Sequence, residues 1–449
     1  MRKALAACLC LYSWGLFSLA AAALERQPNA VYRSRRETLA KKIEKGLIVV
    51  FGEGEPADIS RDDFRQSDNF YYLTGWAQPN AALLIVPAMA ASEGTPARSY
   101  SEILFLSPRN LPRERWTGPK LGPDDPEIST KTGFTRVESL DKLPIELSAL
   151  SPQGLTTVYT ELPSPAEHST SAALWDWVQR FVPTQFQDIE PSVSDLRRIK
   201  DAGELEFLRR ATQASMSAHQ AAIRELKPGI NEREIAGLMY YNSAKGGCER
   251  WAYAPIVGSG FNGTVLHYGA NSKVVQSGEL VVLDVACEYS MYASDITRTL
   301  PANGKFTPRQ REIYDIVYGA QQAAIAAFQP GKSTIGKTTP DSLYKIAYDY
   351  INSHGKDLHG QPLGKYFIHG LGHYVGLEVH DVGDYKKPLD KGTVFTIEPG
   401  IYLPEEKLGV RIEDIFYVDQ SGKLLNMTAP LPHTADEVER AMAQSKVVH

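Results

Sequence analysis

Two apolar runs joined by a short turn form the stretch Gly278-Glu-Leu-Val-Val-Leu-Asp284-Val-Ala-Cys-Glu-Tyr-Ser-Met-Tyr-Ala-Ser-Asp295-Ile-Thr-Arg-Thr-Leu300. We place the turn near Tyr289 and Ser290. Opposed residues of an antiparallel hairpin have a constant index sum, and a turn centred there gives Asp284 and Asp295 the sum that opposed residues need. Asp284 and Asp295 would then face each other. Two carboxylates this close repel, and one pKa rises strongly unless a cation lies between them. The stretch therefore predicts a metal-binding β-hairpin.

Two more acids interrupt apolar runs further along the chain. Glu398 lies within residues 393–402, and Glu413 lies within residues 409–418. Acidic side chains are rarely fully buried without a partner. A single such acid could instead cap a neighbouring backbone group, but these two acids taken together with Asp284 and Asp295 favour a shared cation site.

Three histidines fall in the glycine-rich stretch 367–383, at His369, His373 and His380. Histidine is the commonest metal ligand among side chains and also a general acid or base near neutral pH. A lone histidine is more often a core or surface residue. Three of the chain's ten histidines in this one stretch instead favour a functional site.

Four carboxylates and one imidazole carry a formal charge of about −4, which two divalent cations neutralise. Oxygen-rich ligation favours Mn²⁺, with Co²⁺ or Zn²⁺ as alternatives. Two such ions ~3.5–4 Å apart can activate a bridging water and polarise a substrate carbonyl. The predicted chemistry is hydrolysis.

Composition excludes other classes of function. The chain has 449 residues, of which 43% are hydrophobic, so two or three domains with real cores are expected. The net charge is only −5, with both signs spread along the chain. Nothing therefore marks a nucleic-acid-binding protein, and a small-molecule partner is expected.

The N-terminus has the pattern of a secretory signal peptide over residues 1–23. Arg2 and Lys3 precede the apolar stretch 4–19 and the small-residue run 20–23. The mature protein is expected to be periplasmic or secreted and to have no membrane contact after cleavage. A retained membrane anchor is the alternative.

Four cysteines are present, and Cys8 and Cys10 would leave with the signal peptide. Cys248 and Cys287 remain, so a disulfide framework is not expected to hold the fold together. The sequence alone does not settle whether these two residues pair, and the favoured interpretation is that they are two small buried residues.

The pattern predicts two domains after the signal peptide. Short apolar runs at 46–51, 82–87 and 103–107 predict strands of a mixed α/β domain over residues 24–195. Residues 196–449 predict an α+β domain that holds the chemistry. Its expected helices cover 195–226, 232–244, 308–328 and 340–354, and its expected strands cover 278–300 and 367–417.

These residues together resemble the creatinase/aminopeptidase superfamily with the pita-bread catalytic fold, and within it the bacterial Xaa-Pro aminopeptidases (aminopeptidase P). Residues 65–75, Arg-Gln-Ser-Asp-Asn-Phe-Tyr-Tyr-Leu-Thr-Gly, look like the signature of that family's N-terminal domain. Residues 196–211 look like its interdomain helix, although Asp201-Ala202 replaces the usual Ser-Pro. Residues 256–260 and 266–268 are similar to the strand and loop that carry the family's first active-site histidine.

The resemblance implies a set of metal ligands, which are Asp284, Asp295, His373, Glu398 and Glu413. The Asp284 equivalent contacts one metal with both oxygens, and the Asp295 and Glu413 equivalents bridge the two metals. The equivalents of His373 and Glu398 complete the other metal.

The resemblance also implies residues for substrate contact, proton transfer or support, which are His267, His369, His380, Glu398 and Arg411. Tyr253 is expected next to the ligands. The acidic residue of the N-terminal domain that contacts the substrate amine stays open between Asp58, Asp62 and Asp63.

The leading hypothesis is an Xaa-Pro aminopeptidase that attacks with a hydroxide bridging two divalent metals. Glu398 or Glu413 would accept the water proton, and His380 or His369 would steady the oxyanion. An Xaa-Pro dipeptidase is the main alternative, which the short linker from His380 to Glu398 disfavours. A catalytically inactive peptide-binding module is disfavoured because all five ligand positions are filled. By analogy, a homo-oligomer, either a dimer or a tetramer, is expected.

Overall fold

The computed structural model describes residues 24–43, 45–56, 64–91, 97–150, 155, 157–162 and 185–445. The predicted signal peptide lies outside the described residues, and so do Asp58, Asp62 and Asp63. None of the helices in these ranges is long and apolar enough to span a bilayer.

The N-terminal half is built on a six-stranded mixed sheet in the order β4-β3-β2-β1-β5-β6. Its two central strands are buried on both faces, which explains their continuous apolar sequence, and the three predicted strands are confirmed. The elements are α1 (Asn29–Lys42), β1 (Leu47–Phe51), α2 (Asp68–Thr74), β2 (Ala81–Val86), β3 (Ser101–Leu106), α3 (Leu111–Thr117), α4 (Ile128–Thr132), β4 (Val137–Ser139), α5 (Leu143–Leu150), β5 (Thr157–Thr160) and β6 (Gln185–Asp188).

The C-terminal half packs long helices against small antiparallel sheets. Four of these sheets have the orders β11-β10-β7, β12-β9-β8, β13-β16-β17 and β14-β15. The elements are α6 (Glu190–Arg197), α7 (Ala202–Glu225), α8 (Glu232–Lys245), β7 (Arg250–Trp251), β8 (Ile256–Ser259), β9 (Leu280–Asp284), β10 (Cys287–Tyr289), β11 (Tyr292–Ala293), β12 (Thr297–Pro301), α9 (Pro308–Ala327), α10 (Leu343–His354), β13 (Val394–Ile397), β14 (Gly400–Leu403), β15 (Leu408–Arg411), β16 (Asp414–Val418), β17 (Leu424–Asn426) and α11 (Ala435–Ser445).

The long helices begin where the sequence supplies capping boxes. Asp201 starts α7 by accepting from the backbone N–H groups of Gly203 and Glu204, each at 2.9 Å, and the Glu204 side chain accepts from the Asp201 N–H. The replacement of Ser-Pro by Asp201-Ala202 therefore preserves the helix start. Asn231 and Thr307 cap α8 and α9 in the same way.

The predicted strand region 367–417 is only partly strand. Strands begin at Val394, and no named strand occurs among the described residues 367–393. This glycine-rich segment instead forms loops, in which Tyr374 makes isolated bridges to Asp381 and Phe395. Loops of this kind can direct several histidines into one site.

The hairpin between β9 and β12 has a different register from the prediction. Its turn is centred on Ser290 and Met291, whose φ angles of 48° and 74° suit a type I′ turn. Asp284 therefore pairs with Thr297, and the predicted face-to-face pairing of Asp284 with Asp295 is wrong by two residues. Asp295 is instead a diagonal neighbour on the same face, still within reach of Asp284.

Candidate metal centre

The four predicted carboxylate ligands sit where strands end or are interrupted. Asp284 is the last residue of β9, and Asp295 lies between β11 and β12. Glu398 follows β13, and Glu413 separates β15 from β16. These breaks bring the four carboxylates together beside the loop that carries His373.

The ring of His373 lies beside three of the four carboxylates. Its Nε2 is 3.2 Å from Oδ2 of Asp295, 3.5 Å from Oε1 of Glu398 and 3.9 Å from Oε1 of Glu413. Potential ligand atoms within 4.8 Å of one another form three overlapping groups, which are Asp284/Asp295/Glu413, His373/Glu398/Glu413 and Asp295/His373/His380.

The hydrogen bonding of His373 suits a metal ligand. Its Nδ1 lies 3.0 Å from the carbonyl oxygen of Tyr374, which can only accept, so Nδ1 carries a proton. In the neutral ring, Nε2 then turns a lone pair towards the carboxylates. Oε1 of Glu413 is buried and has no hydrogen-bond partner among the described residues. Nε2 of His373 and Oε1 of Glu413 thus each offer a lone pair that no hydrogen-bond donor among the described residues satisfies. Lone pairs of this kind fit the coordination of divalent cations.

The electrostatics of the cage agree with this fit. Burial and the charge of Asp284 raise the pKa of Asp295 well above its ordinary value. Burial and Asp295 likewise raise the pKa of Glu413, and burial and Glu413 raise the pKa of Glu398. Cations placed among these groups would relieve the repulsion and hold the carboxylates ionised.

Two neighbouring side chains orient the aspartates. The Tyr253 hydroxyl lies 2.6 Å from Oδ1 of both Asp284 and Asp295, and it donates its single proton to one of them at a time. Arg411 donates to Oδ2 of Asp284 and, from its other terminal nitrogen, to the Tyr402 hydroxyl at 2.8 Å. The predicted positions of Tyr253 and Arg411 beside the aspartates are therefore observed.

Thr297 holds the bridging-ligand candidate Glu413 from the opposite strand. Its hydroxyl donates to Oε2 of Glu413 at 2.7 Å and accepts from Nε of Arg411 at 3.2 Å. The backbone N–H of Glu413 also donates to the Thr297 carbonyl at 3.1 Å. One residue thus positions a ligand through both its side chain and its main chain.

Two of the remaining predicted histidines, His369 and His380, differ in their surroundings. Nδ1 of His369 lies 2.8 Å from the Gly370 carbonyl, and its Nε2 lies 2.8 Å from the Tyr402 hydroxyl. Burial and Arg411 lower the pKa of His369 to about 3. Partial burial, His373 and His267 lower the pKa of His380 to about 4.

A single cavity of about 240 Å³ collects the predicted site. All nine predicted ligands and catalytic residues line it, together with Leu266, Tyr385 and two glycines. Sequence reasoning missed Tyr385, Tyr402 and Thr297. Hydroxyl side chains in apolar strands and loops look like ordinary core residues, and only their neighbours in the fold distinguish them.

A largely buried cage of four carboxylates and one imidazole, lining a cavity of about 240 Å³, has the donor set of a metallohydrolase. Comparison with known proteins gives the particular family. Residues 206–420 match metallopeptidase family M24, and residues 32–159 match the aminopeptidase P N-terminal domain.

Individual relatives are similar over nearly the whole chain. The Xaa-Pro aminopeptidase of Escherichia coli (strain K12) is 33% identical, over 92% of this chain and 98% of its own length. The solved structure of Escherichia coli aminopeptidase P with the inhibitor Pro-Leu superposes with a TM-score of 0.82 at 29% identity, covering 94% of this chain and 100% of that chain. The Xaa-Pro dipeptidase of Pyrococcus furiosus is 40% identical, but over only 53% of this chain and 65% of its own length.

The chain therefore belongs to the aminopeptidase P family of M24 metallopeptidases. It is a metal-dependent aminopeptidase, and the predicted fold class, an α/β N-terminal domain followed by a pita-bread catalytic domain, is confirmed.

Proposed function

We propose that this enzyme releases the N-terminal residue from peptides whose second residue is proline, with two divalent ions held in the cage. The observation that carries the proposal is the convergence of all nine predicted residues on one cavity. The peptide bond before proline has no N–H, so general peptidases that bind that proton lose a contact. An enzyme that holds its substrate through a metal site does not need a contact with that N–H.

The donor groups divide naturally between two ions. Asp284, Asp295 and Glu413 form one group, while His373, Glu398 and Glu413 form another, so Glu413 is shared. When bound, the two ions supply an activated water and polarise the scissile carbonyl. Because four of the five donors are carboxylates, we propose Mn²⁺ as the native ion. Elemental analysis of protein purified without added metal tests this choice.

Glu398 is the better candidate for accepting the water proton. Its side chain is 16% exposed and lines the cavity, whereas the side chain of Glu413 is 2% exposed. Each carboxylate accepts one threonine hydroxyl, at 2.7 Å from Thr297 for Glu413 and at 3.4 Å from Thr396 for Glu398. The other oxygen of Glu398, Oε2, lies 3.9 Å from Nδ1 of His369. Glu398 is therefore the more open of the two carboxylates, and its Oε2 can take up a proton while Oε1 keeps the bond from Thr396.

His380 is better placed than His369 to steady the oxyanion. Both ring nitrogens of His369 are occupied by Gly370 and Tyr402. The ring nitrogens of His380 have no hydrogen-bond partner among the described residues, and the ring lines the cavity. His380 can therefore present an N–H to a substrate oxygen. His369 instead continues the chain of contacts from Arg411 through Tyr402.

The experiment compares peptides of graded length. Hydrolysis of an Xaa-Pro-Xaa tripeptide and an Xaa-Pro dipeptide is measured before and after chelation, and again after Mn²⁺ is restored. We expect cleavage of the tripeptide that is lost on chelation and recovered with metal. Cleavage of the dipeptide alone would identify an Xaa-Pro dipeptidase instead, and no hydrolysis of either peptide would leave the binding-module hypothesis.

We further propose that the protein is exported and works in the periplasm or outside the cell. The signal-like pattern of residues 1–23 supports this, and so does the disulfide between Cys248 and Cys287, because such bonds persist in oxidising compartments. N-terminal sequencing of protein from fractionated cells tests it. An intact Met1 on cytoplasmic protein would contradict the proposal.

We also propose a homo-oligomer, a dimer or a tetramer, which light scattering of the purified enzyme would measure.

A further inference from the structure

We propose that Asp381 is a positioning residue for the reaction, through which the N-terminal domain sets the place of the neighbouring His380. Asp381 belongs to a buried group that also contains Arg197, Lys200, Asp68 and Asn69, which we call the Asp381 cluster. This inference rests on the proposed aminopeptidase function.

Two cations hold the Asp381 carboxylate. Arg197 donates to Oδ1 at 2.5 Å, and Lys200 donates to Oδ2 at 2.7 Å. The side chains of Asp381 and Lys200 are each 1% exposed, and that of Arg197 is 3% exposed. Burial alone would raise the pKa of Asp381, but Lys200 and Arg197 keep it below its ordinary value. The carboxylate is therefore charged and rigidly held.

The same arginine reaches the N-terminal domain. Arg197 donates to Oδ1 of Asn69 at 2.7 Å and to Oδ2 of Asp68 at 3.1 Å, both at the start of α2. Asp68 also accepts from Arg65 at 2.7 Å. Arg197 and Lys200 thus pair with Asp68 and Asp381, and Arg65 adds a third cation beside Asp68. Such a buried group is costly to break by removing one member.

Asp381 organises the loop that bears the active-site histidines. Its backbone N–H donates to the Tyr374 carbonyl at 2.9 Å, which closes the loop 374–381. A Cβ on Gly376 would lie 2.0 Å from Oδ2 of Asp381, so the loop folds tightly over the carboxylate. The Gly376 carbonyl also accepts from the Ala293 N–H at 2.8 Å, which ties the loop to the metal hairpin.

His380 depends on this support because, in the part of the chain that the structure describes, no hydrogen bond fixes its ring. Its nitrogens have no hydrogen-bond partner among the described residues, and its ring centroid lies 4.3 Å from that of His373. Its position therefore follows from its own backbone, which the next residue, Asp381, anchors. A shift of about 1 Å in a catalytic group can cost about 100-fold in rate.

The test is a double-mutant cycle between Asp381→Asn and His380→Ala, with turnover of an Xaa-Pro-Xaa tripeptide and bound metal measured for each variant. We expect Asp381→Asn to lower kcat about 10- to 100-fold with metal content unchanged. In the His380→Ala background the same change should cost about threefold or less, because the residue that it positions is gone. An equal loss in both backgrounds, or no loss in either, would overturn the inference.

Two further variants guard against a simple folding defect. Glu102→Gln removes a similarly buried carboxylate that Arg36 holds at 2.7 and 2.8 Å, far along the chain from the site. It should lower the thermal midpoint but leave kcat unchanged. Asn69→Ala keeps both ion pairs of Arg197 and should lower kcat several-fold. In the His380→Ala background, Asn69→Ala should leave kcat unchanged. If Asp381→Asn does not fold, an unaltered kcat in Asn69→Ala would overturn the inference. If the wild-type enzyme itself cleaves no peptide, the proposed function fails instead.

Discussion

Replacing Thr297 by valine should weaken metal binding without disturbing the fold around it. Thr297 is fully buried, and valine has nearly the same shape. The change removes the 2.7 Å hydrogen bond to Oε2 of Glu413 and the weaker 3.2 Å bond from Nε of Arg411, and the bond to the Glu413 carboxylate is the one that bears on the metal site. Hydrogen bonds to charged groups contribute about 1.5–3 kcal/mol. Because 1.4 kcal/mol is tenfold in an equilibrium constant, the affinity for metal should fall about 10- to 100-fold, as is typical for residues that orient ligands.

The assay titrates Mn²⁺ into metal-free protein in competition with a fluorescent chelator. Thr299→Val is the matched control, since Thr299 is equally buried on the same strand. Among the described residues its hydroxyl bonds only the backbone of Arg411, at 2.9 and 3.1 Å. It should destabilise the protein yet keep the affinity within about threefold of wild type. An unchanged affinity in Thr297→Val, or equal losses in both variants, would refute the reasoning.

Two other predictions concern stability. Burial and Arg298 lower the pKa of His219 from 6.5 to about 4, so the unfolded state takes up its proton first as the pH falls. The stability that depends on neutral His219 is complete above pH 6.5, and the free energy of unfolding falls by about 3 kcal/mol by pH 4. His219→Gln should remove this part of the acid slope in urea unfolding, and an identical slope would contradict the assignment. The disulfide between Cys248 and Cys287 closes a separation of 39 residues, so Cys248→Ala should lower the free energy of unfolding by about 4 kcal/mol relative to the oxidised protein. Equal denaturation midpoints for the two proteins would contradict a formed bond.

The metal ligands could be found from the sequence because burying an acid has a high cost. Asp284, Glu398 and Glu413 each interrupt an apolar run, and such acids need a cation or a proton. The structure brings all of them into one cavity with the three predicted histidines of the 367–383 stretch. The helices were also predictable, since their apolar periodicity and capping residues act locally.

The hairpin register was not predictable in the same way. The turn uses two non-glycine residues, Ser290 and Met291, in the left-handed region, and neither residue type marks such a turn. The aspartates nevertheless meet, because a slip of two residues keeps every side chain on its original face. A slip of one would have separated Asp284 from Asp295.

Other features depend on distant parts of the chain. Cys248 and Cys287 pair only because the segment after α8 lies against β10, a proximity that no local pattern encodes. Tyr402 similarly joins Arg411 to His369 across β14 and β15. Such contacts arise from packing between elements, so they were visible only in the fold.

The most direct test of the metal cage measures bound metal and peptide cleavage on the same sample, for the wild-type enzyme and for Asp295→Asn. We predict two Mn²⁺ ions per wild-type chain after reconstitution and, in Asp295→Asn, both a loss of bound metal and a loss of Xaa-Pro-Xaa cleavage. Full cleavage by a wild-type protein that holds no stoichiometric metal, or by the variant, would contradict the account.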